Sequence, residues 1–228
     1  MFDLKKLQQI VQRSSESKEY PKHVILNLFP LSSTEEKRKE DYERFLKNLH
    51  EIINLQVEQN IPILTISLGK TEDILDMGLF VEFCSSLLEK AVFHKINITI
   101  FGRWYELMGE AVEALKLVNN ETNDFDNFFL NICINYDGKQ EIVDACRVMM
   151  RKILSEKVNI DQINPTILKE NIYTSYFLPP DFIIEPTTRF SGTFLYDTPN
   201  TKIYQLQKPV LDILKSDIQK AITWYLEK

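Results

Sequence analysis

Polar side chains fall where an α/β fold does its chemistry in one stretch above others, Phe129-Leu-Asn-Ile-Cys-Ile-Asn-Tyr-Asp-Gly-Lys-Gln-Glu-Ile-Val-Asp-Ala145. It reads as a buried strand, a turn at Asp137-Gly138 and a helix whose first turn carries Glu141. Ligands of α/β domains sit at such junctions, outside the carboxyl ends of the strands. Several familiar chemistries are excluded. None of the six glycines falls into a G-x-G-x-x-G or Walker spacing, so a nucleotide-phosphate loop is missing. There is no G-x-S-x-G elbow, which argues against a serine hydrolase of the usual α/β type. Cys84, Cys133 and Cys146, with His23, His50 and His94, show no metal-ligand spacing. The cysteines read as buried free thiols of a reducing compartment.

The elements that must position this junction follow from periodicity. Strands are expected at residues 23–29 (ended by Pro30), 61–67, 96–101, 128–135, 181–184 and 192–196. Helices are expected at 2–13, 35–58 with Thr34 as cap, 72–94, 105–118, 139–155 and 209–226, the last with Pro209 in its first turn. Residues 14–21 read as a connector and 119–127 as a polar loop. The alternation demands an α/β fold, a mostly parallel sheet with helices on both faces. No repeat or domain-sized linker interrupts it, so residues 1–228 are read as one domain, with 1–20 an N-terminal helix and connector.

Composition agrees. The 228 residues are 44% hydrophobic, enough for a sizeable core, and carry a net charge of −6, which excludes a nucleic-acid binder by overall electrostatics. Lys37-Arg38-Lys39 is flanked by Glu35, Glu36, Glu40 and Asp41 and reads as a solvated helical face, not a phosphate patch. No apolar run reaches a membrane span and no secretory h-region opens the chain. The protein is therefore expected to be cytoplasmic, with peripheral membrane contact left open.

The central stretch resembles the L-N-I-A-x-N-Y-G-G-R-x-E-I-V segment of the cis-prenyltransferases, the undecaprenyl diphosphate synthase family. Asn131, Asn135, Tyr136, Gly138, Glu141, Ile142 and Val143 coincide with it. The likeness runs from about Pro21 to Tyr204. Pro21-Lys-His-Val matches the start of the family's first motif, but the position of its Mg²⁺-holding aspartate is Phe29, followed by Pro30-Leu31. In the S/F-S-x-E-N-W segment Glu72 matches the glutamate, Asp73 replaces the asparagine and Ile74 the tryptophan; Thr71 as a helix cap is the plainer account of that cluster. The R-I-I-G-D aspartate is Arg103. In the late segment, Ile172-Tyr-Thr-Ser-Tyr-Phe-Leu-Pro-Pro-Asp181 matches well, whereas the first diphosphate-binding arginine aligns with Glu185 and a second metal-ligand glutamate with Lys202. Arg189 and Ser191 match the second arginine and the serine across a segment about two residues shorter.

The resemblance implies a single-domain undecaprenyl diphosphate synthase-like fold and a link to polyprenyl diphosphate (isoprenoid) synthesis. It implies Arg189, Ser191, Asn135 and Glu72 as the remaining diphosphate-binding groups, and Leu79, Phe80, Phe83 and Leu87 as the stripe that would line a polyprenyl tunnel or serve as plain core. Diphosphate transfer relies on metal and cations to neutralise charge. A charge reversal beside a diphosphate costs several kcal/mol at an effective dielectric of about 20. With the metal positions occupied by Phe29 and Lys202, no metal ligand and no resident cofactor is expected; Mg²⁺ would enter only if the chain is an enzyme. The first expectation is a catalytically degenerate accessory subunit, a homo- or heterodimer partner of a cis-prenyltransferase family member, joined through residues 185–225. The chain ends Thr223-Trp-Tyr-Leu-Glu-Lys228 without the R-x-G by which accessory subunits complete a partner's site, so its help would be structural. The alternatives are a divergent prenyltransferase condensing isopentenyl diphosphate with an allylic diphosphate, and a non-catalytic isoprenoid-binding or regulatory protein.

Overall fold

Short runs of Ile, Leu, Val and Phe that are buried at nearly every position can be strands only if both faces of their sheet are covered. The computed structural model, which describes residues 20–32, 34–155 and 159–228, has this arrangement. Six strands, β1 (His23–Asn27), β2 (Ile63–Ser67), β3 (Ile96–Phe101), β4 (Phe128–Cys133), β5 (Phe182–Glu185) and β6 (Lys202–Gln205), form one sheet in the order β3-β4-β2-β1-β5-β6. Every pairing is parallel, with Ile25 opposite Thr65 and Ile183, and Thr65 opposite Asn131.

Alternation along the strands divides the core in two. Val24, Leu26, Leu64, Ile66, Leu130, Ile132, Phe182 and Ile184 face a large cluster closed by α1 (Arg38–Glu58), α2 (Met77–His94), α3 (Gly109–Thr122) and, near the chain's end, α6 (Lys215–Leu226). On the opposite face Ile25, Ile63, Phe129, Cys133 and Ile183 meet an aromatic set that includes Phe101, Phe177 and Phe194. Numbered in chain order, α4 (Gly138–Leu154) and the short α5 (Pro165–Lys169) fall between β4 and β5. Each fully buried Phe, Ile or Leu stabilises the fold by about 1.5–3 kcal/mol relative to exposure. At the far edge β6 is exposed along most of its length, and the ring of Tyr204 packs 5.2 Å from Trp224 of α6.

Several expectations change. The strand expected at 192–196 is a loop and a 3-10 turn (Leu195–Asp197); the sixth strand is β6. Phe194 takes a left-handed backbone, φ +53°, which breaks an extended run there, whereas Lys202–Gln205 pairs with β5. Thr34 makes no side-chain cap bond, because a 3-10 turn (Glu35–Lys37) precedes α1. Thr71 is not the cap of α2: Asp76 is, accepting from the Leu79 N–H at 2.9 Å, and a separate 3-10 turn (Thr71–Asp73) precedes it. The helix expected from 105 begins at Gly109 and runs on to Thr122, taking part of the expected polar loop. β4 stops at Cys133, and α6 starts at Lys215 because Pro209 leads into another 3-10 turn (Val210–Asp212). Cys84 and Cys133 are buried as expected, with burial pushing both thiol pKa values up, Cys84 to about 12, but Cys146 is exposed on α4. The helix expected at 2–13 lies outside the described residues. Among those residues no helix is long and apolar enough to cross a membrane.

Candidate functional site

The segments that leave β1, β2 and β4 are stitched together beyond the strand ends. Leu28 N–H donates to the Ser67 carbonyl at 2.8 Å, Leu68 N–H to Cys133 at 2.9 Å and Asn135 N–H to Gly69 at 2.8 Å. Around them opens a cavity of about 650 Å³, walled by Phe29 and Pro30 after β1, Gly69, Lys70 and Asp73 after β2, Tyr136 to Lys139 at the start of α4, and Phe190 to Gly192 with Leu195 after β5. This is the carboxyl end of the sheet, beside β1, where the strand order reverses.

A buried acid sits beside this cavity. Glu185 is 2% exposed, and its Oε1 accepts from Asn27 Nδ2, the Ser191 N–H and the Ser191 hydroxyl, each at 2.9 Å. Thr193 completes the ring by donating to Asn27 Oδ1 at 2.7 Å. Burial raises the Glu185 pKa, and the bonds from Ser191 and Asn27 oppose that shift without overcoming it. Glu141 is the second buried acid. It accepts from the Tyr136 hydroxyl at 2.5 Å and the Thr174 N–H at 2.9 Å, and burial raises its pKa too. These bonds tie the first turn of α4 to the late segment and spend Glu141 on architecture.

The other acids at the cavity are held by backbone. Asp73 Oδ1 accepts from Leu31 N–H at 2.9 Å and Oδ2 from Lys70 N–H at 2.8 Å. Asp137 caps α4 through Lys139 N–H at 2.8 Å and Gln140 N–H at 3.3 Å. Gly138 is needed at the helix start: a Cβ there would lie 2.3 Å from the Gly192 carbonyl oxygen and 2.7 Å from Leu195 Cβ.

The expected site residues do not converge. Ser191 lines the cavity but turns its hydroxyl proton to Glu185. Asn135, at φ +50°, uses its side chain on Thr71, accepting from Thr71 N–H at 2.8 Å and donating to its Oγ1 at 2.9 Å. Glu72 is exposed in the turn after β2, and Arg189 is exposed with its N–H donated to Thr187 Oγ1 at 3.2 Å. Of the aromatic stripe, Phe80, Phe83 and Leu87 are buried in the core cluster, and Leu79 packs against it half-buried. Phe29 does stand on the cavity wall. Lys202 lies at the opposite end of the sheet, opposite Phe182 at the start of β5, with its Nζ 4.4 Å above the Tyr225 ring. Reasoning from motifs missed Lys70, Lys139, Phe190 and Asn27; the rule that sites form at strand ends would have found the first two, Lys70 in the loop after β2 and Lys139 in the first turn of the helix after β4.

These residues do not fit a Mg²⁺ ion of the kind the resemblance implies. Phe29 offers no oxygen, both Asp73 oxygens accept N–H groups, and Asp137 is a helix cap. Among the described residues no group of three or more His, Cys, Asp or Glu is arranged to hold a metal.

A third polar network runs beneath the site. His23 is fully buried between the Leu178 carbonyl, 2.7 Å from Nδ1, and Thr65 Oγ1, 2.8 Å from Nε2. A carbonyl only accepts, so Nδ1 carries the proton and Nε2 accepts from Thr65, whose oxygen in turn accepts from Asn131 at 3.0 Å. Burial lowers the His23 pKa to about 4.

Comparison with known proteins accounts for this frame. The chain is 27% identical over 191 residues to a tritrans,polycis-undecaprenyl-diphosphate synthase (geranylgeranyl-diphosphate specific) of Picrophilus torridus, covering 78% of this chain and 75% of that protein. The corresponding Pyrococcus furiosus synthase is 28% identical over 218 residues, 89% of this chain and 83% of the relative. The fold matches lavandulyl diphosphate synthase from Lavandula x intermedia with a TM-score of 0.82 at 19% identity, over 93% of this chain and 98% of that one. It also matches a probable undecaprenyl diphosphate synthase from Campylobacter jejuni, with a TM-score of 0.69 at 18% identity, over 91% and 96% of the two chains. The family model described as "Putative undecaprenyl diphosphate synthase" matches residues 31–228, and the chain belongs to that family, the cis-prenyltransferases.

Proposed function

We propose that this chain is a non-catalytic cis-prenyltransferase homologue that acts as an accessory subunit in polyprenyl diphosphate synthesis, paired with a catalytically complete member of the family. One observation carries the reading. The position matching the family's first diphosphate-binding arginine is Glu185, a buried carboxyl whose bonds to Asn27 and Ser191 close the end of β5. An anion placed there would meet an acid, not a cation, in surroundings where charges are poorly screened. Phe29 at the metal-ligand position points the same way.

A pairing surface supports the subunit role. Edge strand β6 leaves Ile203 exposed within the expected interface, and α4 carries exposed Val143, Met150 and Leu154 at helical spacing.

The test is incorporation of radiolabelled isopentenyl diphosphate with farnesyl diphosphate and Mg²⁺, run on this chain alone and mixed with a complete cis-prenyltransferase from the same cell. Silence alone with stimulation or altered product length in the mixture supports the subunit. Product from the chain alone sinks it in favour of a divergent enzyme. Silence in both leaves the isoprenoid-binding reading, which the open cavity favours.

A further inference from the structure

The outer faces of α2 and α3 enclose a second recess, lined by none of the residues of the cavity at the strand ends. It holds about 280 Å³, with Val81 and Leu88 of α2 and Ala114 and Leu117 of α3 as walls, and buried Cys84 and Val118 beneath. The apolar stripe continues along the helices. Val81, Ser85, Leu88 and Val92 share one face of α2, and Leu117 is 52% and Val92 43% exposed. The rim is acidic. Glu110 and Glu113 line the recess, Glu82 and Glu89 stand exposed on α2, and Lys116 is paired with Glu113 at 2.8 Å. Lys90 of α2 donates to the His50 carbonyl and to Asn54 on α1. An apolar floor between acidic rims fits an amphipathic helix with basic flanks.

One segment of this chain carries that pattern in its sequence. Phe2, Leu4, Leu7, Ile10 and Val11 recur at helical spacing, and Lys6 and Arg13, seven residues apart, fall on one flank of that stripe. Seven residues rise about 10.5 Å along a helix, and the same interval separates Glu82 from Glu89. The segment is also within reach. Tyr20 stands beside the start of β1, at the end of the sheet where α2 finishes at His94 and α3 at Thr122. In the order β3-β4-β2-β1 the strand between those helices lies about 14 Å from β1, and residues 14–19 can span about 20 Å. We propose that residues 2–13 lie in this groove of their own chain as an amphipathic helix, with Leu4, Leu7 and Val11 toward Leu88 and Leu117 and the basic groups against the acidic rim. A tether this short supplies an effective concentration of roughly millimolar, so a weak contact suffices to fill the groove. The contact does not depend on the accessory-subunit reading.

The measurement is amide hydrogen exchange of the full chain, read by mass spectrometry over residues 4–12. A helix of this length is marginal by itself in water, so slow exchange there reports docking. Those amides are expected to exchange about tenfold or more slower than an unstructured chain, as a docked segment that opens locally would. Leu117→Glu, a change in the groove, and Leu7→Glu with Ile10→Glu, a change in the segment, should each abolish that protection. The Leu117 variant should still melt cooperatively, because that side chain is half outside the core. Lys6→Glu with Arg13→Glu should speed exchange of the same amides, and so should added salt. Protection unchanged on dilution places the helix in its own chain. Unprotected amides over 4–12 in the native protein, protection that survives Leu117→Glu, or protection lost on dilution, which would mean a helix lent to a second copy, overturns the proposal.

Discussion

Asn27 donates through Nδ2 to Glu185 Oε1 at 2.9 Å, joining the last residues of the neighbouring parallel strands β1 and β5. The pair lies one position beyond Leu26 and Ile184, on the face opposite them. Glu185→Arg, the change toward the family pattern, would therefore bury a second donor group against the Asn27 amide and the Ser191 N–H. Leaving a buried guanidinium without a paired anion costs about 3–5 kcal/mol. The expectation is a destabilised protein, seen as a lower urea midpoint, with no gain of isopentenyl transfer.

Glu185→Gln separates charge from shape, since an amide oxygen can keep accepting from Asn27 and Ser191. Burial raises the Glu185 pKa in the fold, so the folded state holds this proton more tightly than the unfolded one. The stability from that proton is full below the unfolded pKa and is lost as pH rises through the folded pKa. The variant should thus match or trail the native chain near pH 4, gain on it as pH rises through the folded pKa, and hold that gain up to pH 8. Paired thermal melts across that range test this; a constant difference would show that charge at Glu185 does not matter.

His23 works with the opposite sign of charge. Its pKa is lowered to about 4 in the fold, against about 6.5 unfolded, so the unfolded chain binds the extra proton between those values. Stability should fall as pH drops from about 6.5 to about 4, by on the order of 3 kcal/mol for this fully buried ring. His23→Gln should be less stable at neutral pH, because Thr65 and Leu178 lose a matched partner, yet show a flatter slope across that window. Denaturant titrations at several pH values would reveal an unchanged slope if other groups dominate.

Gly138→Ala should damage the cavity more than its size suggests. The added Cβ would press on the Gly192 carbonyl and on Leu195, both on the loop that follows β5. Overpacking of this kind costs about 1–3 kcal/mol. Limited proteolysis near residues 187–193 should speed up; an unchanged cleavage pattern would mean the loop accommodates the methyl group.

The pairing surface is tested by Met150→Glu with Leu154→Glu. Both side chains are exposed in the isolated chain, so folding should be unaffected. Affinity for the complete family member should fall, by more than about 1 kcal/mol if either is an anchor of the interface. Co-elution as tight as that of the native chain would place the contact elsewhere.

Much of this architecture was legible in the residues. Runs such as Ile63–Ser67 and Phe128–Cys133 announce buried parallel strands because they are short, mostly apolar and rich in Ile, Leu and Phe, and Asp137-Gly138 marks the start of α4 because its cap and close approach are local. What periodicity could not supply was the late segment. Gly192 to Tyr196 looks like a strand, yet Phe194 sits at φ +53° with its ring buried near His23, a tertiary constraint that local pattern does not carry. The same holds for the site. Phe29 was readable as a missing ligand, but the partners of Glu185 come from β1 and from Ser191, and the partner of Asn135 from the turn after β2. Such contacts arise from strand order, which a sequence read in one direction does not display.

Cys146 stands apart from the other two thiols. Cys84 and Cys133 are sealed in the core, while Cys146 is exposed on α4, between Val143 and Met150 along the helix. The native chain therefore offers one addressable thiol, placed beside the exposed apolar residues of α4 proposed as a pairing surface. A maleimide dye would label that position without any engineered cysteine, and its brightness or quenching on mixing would report assembly directly in solution.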